Sequence, residues 1–157
     1  RCAVSDADVH QGSGTAAIFA ADRDILTFCV HGAGNFPFRK EVSTLDIELP
    51  DRADDTAYLA GVRQGCERAL EHRPDIIYYV SGADAYEGDR LGRLCVSREA
   101  LAERDRIVLD AAADIPIVLV MAGGYAGNVE DTVDIHFNSV RAAYAHAVRV
   151  SAISTSR

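Results

Sequence analysis

Short apolar runs alternate with longer stretches of helical periodicity along this chain, the pattern of βα units in a parallel sheet. Residues 2–4 read as a short strand, 14–20 as a brief helix and 25–30 as a second strand, followed by the Gly- and Pro-rich loop HGAGNFPFRK. Leu45, Ile47 and Leu49 alternate with Asp46 and Glu48, which predicts a half-exposed edge strand closed by Pro50. Between 54 and 72, Tyr58, Leu59, Val62, Cys66, Ala69 and Leu70 recur on one helical face, with acidic residues in the first turn and basic ones in the last. The continuous apolar run 76–80 predicts a strand buried on both faces, and 115–121 predicts another. A helix should run from Ser97, as N-cap, through Leu101, Val108, Leu109 and Ala112. Val129, Val133, His136, Val140, Tyr144 and Val148 mark the apolar side of a last helix, and 151–157 reads as a frayed tail.

Composition narrows the class. At 157 residues the chain can bury one sizeable core, so residues 1–150 are expected to form one unit. No apolar run approaches the roughly 20 residues of a membrane helix, and the first ten residues lack the apolar stretch of a signal peptide, so a soluble cytoplasmic protein is expected. Four cysteines at 2, 29, 66 and 95 are too scattered for a disulfide scaffold and read as reduced thiols. A net charge of -8 offers no basic patch for phosphates, which disfavours nucleic acid as a partner. Arg1 leads straight into the first strand with nothing before it, so the expectation is a domain whose upstream half is absent.

In open parallel sheets ligands bind outside the carboxyl ends of the strands. Three such ends are unusually polar: Asp6, Asp8 and His10 follow the first strand, Asp84 follows 76–80, and Tyr125 follows 115–121. Alternate residues of an extended segment share a face, so Asp6, Asp8 and His10 can point together. Joined by Asp84, they offer two carboxylates and an imidazole to a divalent metal with open coordination positions. Two other readings stay open on the residues alone. Asp and Ser-Gly clusters are ordinary turn formers at strand ends. GSGTAA at 12–17 also matches a G-x-G-x-x-A phosphate loop, although Asp6 and Asp8 would repel a pyrophosphate and the second strand ends without an acidic residue. Gly123 and Gly124 permit a turn that brings backbone close to a ligand, and the Tyr125 hydroxyl can donate to a developing oxyanion.

Taken in order, DADVHQGSGTAAIF, DILTFCVHGAGNFPFRKE, STLDIELP, PDIIYYVSGADAYEGDRLGRL and IPIVLVMAGGYA resemble the zinc-dependent histone deacetylase family, and its short bacterial members most. The resemblance covers nearly the whole chain. It implies the arginase/deacetylase fold, a three-layer α/β architecture on a parallel sheet, here incomplete at its N-terminus. By the same resemblance Asp8, His10 and Asp84 are the zinc ligands, with iron(II) as an alternative ion, and Tyr125 polarises the substrate carbonyl. Asp6 would orient a catalytic histidine and help hold a monovalent cation, normally potassium, together with Asp8, His10, Cys29 and Val30. Phe36 resembles an aromatic that flanks the acyl-lysine tunnel, and by the same resemblance Gly124 would lie beside the substrate.

Departures from the family pattern matter equally. The family's tandem His-His general base has no counterpart among the five histidines at 10, 31, 72, 136 and 146. Ser13 stands where relatives carry Asn or Asp, Cys29 replaces a serine that contacts the cation, and Ala122 replaces a frequent glycine. His31 and His72 carry no family role and are expected to be satisfied or solvated, whereas His136, on the apolar side of the last helix, is expected to be packed. A binuclear, arginase-like site would need further aspartates beside Asp84, and Tyr86 and Asp89 do not give that spacing. The function implied for the intact protein is hydrolysis of an acetylated amine, of the acetyl-lysine or acetylpolyamine type, with the remainder of the same domain as partner. The alternatives are a non-catalytic binding module of the same fold and a dinucleotide-binding domain.

Overall fold

The computed structural model describes residues 1–154. Five strands, β1 (Cys2–Asp6), β2 (Ile25–Gly32), β3 (Leu45–Leu49), β4 (Ile76–Ser81) and β5 (Ile117–Met121), form one parallel sheet in the order β3-β2-β1-β4-β5. They are interspersed with α1 (Ser13–Phe19), α2 (Asp55–Glu71) and α3 (Arg98–Ala112), and α4 (Val129–Ser154) closes the order. The chain winds outward from β1 to β3 and then crosses back to β4, so the strand order reverses between β1 and β4. That reversal opens a crevice at the carboxyl edge, where ligands of such sheets bind.

Local chemistry sets the helix starts. Asp54 accepts from the Ala57 N–H at 3.0 Å and Ser97 Oγ from the Ala100 N–H at 3.1 Å, each satisfying an amide the first helical turn leaves unpaired. The α2 and α3 helices bury one sheet face, with Ala3, Leu26, Phe28, Val30, Ile77 and Tyr79 in the core beneath them. Right-handed crossovers place α1 on the opposite face, because β1 to β2 runs the other way along the sheet. Among the described residues the third layer is therefore one short helix.

Several sequence expectations change here. The runs at 76–80 and 115–121 are strands, the latter beginning at Ile117, but they are not buried on both faces. Tyr78 is 42% exposed, and Val118, Val120 and Met121 are exposed, because no helix among the described residues covers that side of β4 and β5. On α4 the predicted apolar side is the open one. Val129, Val133, Val140, Tyr144 and Val148 face out, while Ile135, Ser139 and His146 are buried towards α3. The tail expected from 151 begins as helix, since α4 continues to Ser154; residues 155–157 lie outside the described residues. His31 is fully buried with neither ring nitrogen hydrogen-bonded, so it is packed rather than satisfied. His72 is half-buried and its Nε2 meets Asp24 O at 3.1 Å, so it is a satisfied histidine. No helix among the described residues is long and apolar enough to cross a membrane.

Candidate metal centre

The β1 and β4 strands deliver their polar residues to the crevice between them. Past Asp6, the Ala7 N–H donates to Val80 O at 3.1 Å, which carries the strand pairing one step further and turns Asp8 inward. The Val9 N–H then donates to Asp84 Oδ1 at 2.9 Å, leaving Asp84 Oδ2 to face His10 Nδ1 at 3.1 Å. His10 Nδ1 also stands 3.3 Å from Asp8 Oδ1, which accepts from the His10 N–H at 2.8 Å. The structure thus gathers the ligand atoms of Asp8, His10 and Asp84 within 4.8 Å of one another.

This donor set fits a divalent ion. Ligand atoms 2.0–2.1 Å from a tetrahedral centre lie roughly 3.3 Å apart, close to the two Nδ1 separations found. The electrostatics agree. Hydrogen bonds to Asp8 and Asp84 push His10 up to about 10, so a proton is held where a cation would be. Burial pushes Asp84 up to about 6. Burial also acts to raise Asp8, but the hydrogen bonds from His10 and Asp84 outweigh it and hold that carboxyl below its usual value. Two carboxylates this close share their remaining charge through the imidazolium between them.

The third strand end closes over the pair. The Gly123 N–H donates to Asp8 Oδ2 at 3.2 Å and Gly123 O accepts from the Ala83 N–H at 2.7 Å. A Cβ on Gly123 would collide with the Asp84 carboxylate, and one on Gly124 would press on Thr132 and Ala83, so this turn requires both glycines. Tyr125 follows, 58% exposed, with its backbone held by the loop that leaves Asp84.

The remaining predicted residues fall around this centre. Asp6 is buried, its carboxyl pushed up to about 7 by burial, and Oδ1 accepts from the Asp8 N–H at 3.1 Å. It pairs in register with Cys29, whose Sγ lies 3.8 Å from His10 O, the carbonyl that the resemblance assigns to a monovalent cation. Val30 is fully buried beside it. Asp6 also lies against Gly12 at the start of α1, so an acidic side chain fills the place to which a phosphate loop would bring its anion. Phe36 is 64% exposed and packs edge-on to Phe38 at 6.3 Å, in a loop whose carbonyls at Ala33, Asn35 and Pro37 are gathered by Lys40 Nζ.

A buried network under the site was missed by the sequence reading. Arg104 Nη1 donates to Gly82 O at 2.5 Å and to Tyr58 Oη at 3.4 Å, and Tyr58 Oη donates to Ala7 O at 2.7 Å. One guanidinium therefore braces both ligand-bearing segments. Asp105 Oδ1 accepts from Tyr79 and Arg104, and Oδ2 accepts from Ser139 on α4. A signal existed: Arg104 and Asp105 fall on the same helical face as Leu101 and Val108.

Sheet and site together define a parallel α/β domain that gathers Asp8, His10 and Asp84, a triad able to hold a metal ion, at its topological switch point. Comparison with known proteins gives the family: the histone deacetylase domain matches residues 1–140, and the chain belongs to that family. An uncharacterised protein of Picosynechococcus sp. is 42% identical over 146 residues, covering 91% of this chain and 49% of that protein. The histone deacetylase-like amidohydrolase of Pseudomonas aeruginosa is 33% identical over 141 residues, covering 80% of this chain and 37% of the relative. The crystal structure of acetylpolyamine aminohydrolase from Burkholderia pseudomallei shares the fold, with a TM-score of 0.78 at 23% identity over 96% of this chain and 45% of that one. The chain spans at most about half the length of these relatives.

Proposed function

We propose that this chain supplies the metal-binding part of a site that hydrolyses an acetylated amine and releases acetate. The convergence of Asp8, His10 and Asp84 on one point at the carboxyl edge carries this reading. Zinc, or iron(II) in its place, would supply Lewis acidity there, polarising an acetamide carbonyl and lowering the pKa of a bound water towards about 7.

The chain's own residues would do the rest of the work on this side of the site. Val9 and Gly123 hold one oxygen of Asp84 and of Asp8 by backbone amides, which would orient these carboxylates for an ion held with His10. The Tyr125 hydroxyl would donate to the oxyanion as the carbonyl becomes tetrahedral, a donor typically worth about 3 kcal/mol. Phe36, with Phe38 behind it, would flank the acyl chain, and Gly124 would let substrate approach the backbone. Asp6 would orient a histidine from outside this chain. A potassium ion at Asp6, Asp8, His10, Cys29 and Val30 belongs to the same reading, with the condition that the Cys29 thiol rotates off His10 O.

The general base is absent from these residues, so the chain alone should bind metal without efficient turnover. The uncovered apolar side of β4, β5 and α4 and the greater length of the relatives support a working site shared with further chain. A non-catalytic module would keep the fold and lose turnover even in the full-length protein. Zinc titration of this chain and its Asp84→Ala variant, with acetate release by the full-length protein from acetyl-lysine peptide and acetylpolyamine, tests the reading. Unchanged zinc affinity in the variant, or no acetate from either substrate, overturns it.

A further inference from the structure

Tyr125 is 58% exposed, so among the described residues packing does little to place its hydroxyl. Within these residues its placement comes from the backbone. Both backbone groups of Tyr125 are held by one dipeptide 35 to 36 residues earlier. Asp89 Oδ2 accepts from the Tyr125 N–H at 2.5 Å, and Tyr125 O accepts from the Arg90 N–H at 3.1 Å and from Arg90 Nε at 3.2 Å. The pairing continues on the far side, where the Gly127 N–H donates to Gly88 O at 3.1 Å and Asp89 faces Ala126 in an antiparallel bridge.

The other oxygen of Asp89 is already committed. Oδ1 accepts from the Leu91 and Gly92 N–H groups, both at 2.8 Å, which is the ordinary work of an aspartate closing its own turn. A turn former needs no more than that. The second oxygen, aimed at Tyr125, ties the turn to a separate strand end, and the loop that makes the tie begins at the metal ligand Asp84. Ligand and tyrosine are thereby fastened to one short loop, with Gly123 on Asp8 fixing the near side of the turn.

We propose that Asp89, assisted by Arg90, is the positioning residue for Tyr125: it holds the tyrosine backbone so that the hydroxyl meets the substrate oxygen at the metal. This rests on the reading of Tyr125 as oxyanion donor. Displacement of a reacting group by about 1 Å can cost on the order of a hundredfold in rate, so a loosened Tyr125 should lower kcat while leaving the metal in place.

The test is a double-mutant cycle on the full-length, zinc-loaded protein with a fluorogenic acetyl-lysine peptide. Asp89→Asn keeps the shape but turns an amide towards one of the N–H groups it must accept. It should lower kcat about ten- to a hundredfold with KM and zinc content unchanged. In a Tyr125→Phe background the same substitution should cost nothing further, because its effect passes through the hydroxyl. Asp89→Glu should recover part of the loss. Arg90→Met, which removes one exposed contact, should give a smaller fall that also vanishes in the Tyr125→Phe background. A loss from Asp89→Asn that persists undiminished in that background, or that follows zinc content, overturns this proposal alone. Full turnover by Tyr125→Phe overturns the reading of Tyr125, and the proposal with it.

Discussion

Arg104 and Asp105, neighbours on α3, form an ion pair at 2.9 Å with neither side chain reaching solvent. Such a pair is costly to bury and is compensated only when its remaining hydrogen bonds are filled. Here they are filled by the segments that carry Asp8 and Asp84: Gly82 O, Ser81 Oγ and, through Tyr58, Ala7 O. The pair works as a brace under the site.

Removing one partner should therefore be severe. Asp105→Ala leaves a buried guanidinium without its counterion and should destabilise the fold by about 3–5 kcal/mol. Urea denaturation checks this, and Arg104→Met with Asp105→Leu together should be milder than Asp105→Ala alone.

Zinc affinity should rise with pH. Without metal, His10 holds a proton up to about pH 10, so binding at neutral pH must displace it. The sign follows: each unit of increase below that value favours the metal about tenfold for one released proton. Below about 6, where Asp84 also takes up a proton, the dependence should steepen. Competition against a chromophoric chelator from about pH 5 to 8 measures the slope, and a flat profile would contradict the assignment of His10.

Gly123→Ala tests the close approach of the third strand end. The added methyl meets the Asp84 carboxylate and leaves Asp8 little room, so the turn must shift. A loss of about 1–3 kcal/mol is expected from overpacking. Zinc should also bind more weakly, by more than a general loss of stability would produce. Parallel melting curves with and without zinc separate the two effects.

Cys29→Ser addresses the monovalent cation. Burial raises the Cys29 thiol well above its usual value, and a neutral, soft sulfur is a poor potassium ligand. A hydroxyl there should let potassium bind more tightly beside Asp6. Exchange of sodium for potassium chloride should raise the melting temperature of the variant by about 2–4 °C more than that of the parent chain.

Much of this protein was legible as pattern. The strand ends at Asp8, Asp84 and Tyr125 were visible because parallel sheets send ligand-binding residues to one edge, and the ordered motifs around them carried the family resemblance. The caps at Asp54 and Ser97 follow from side chains that satisfy local amides. Burial was less legible. An apolar run such as 76–80 reads identically whether one face or two are covered, and the stripe on α4 looks like a core face although it is open among the described residues.

By itself, the sequence determined the alternation of strands and helices, the residues offered at the carboxyl edge, and the chemistry those donors suit, because periodicity and donor type are local properties. Tertiary structure alone decided that His10 Nδ1 comes between two carboxylates 3.1 and 3.3 Å away, that Arg104 and Asp105 brace the site from below, and that Asp89 grips Tyr125. These contacts join segments far apart in the chain, and no local pattern encodes which of them the folding of the sheet will bring together.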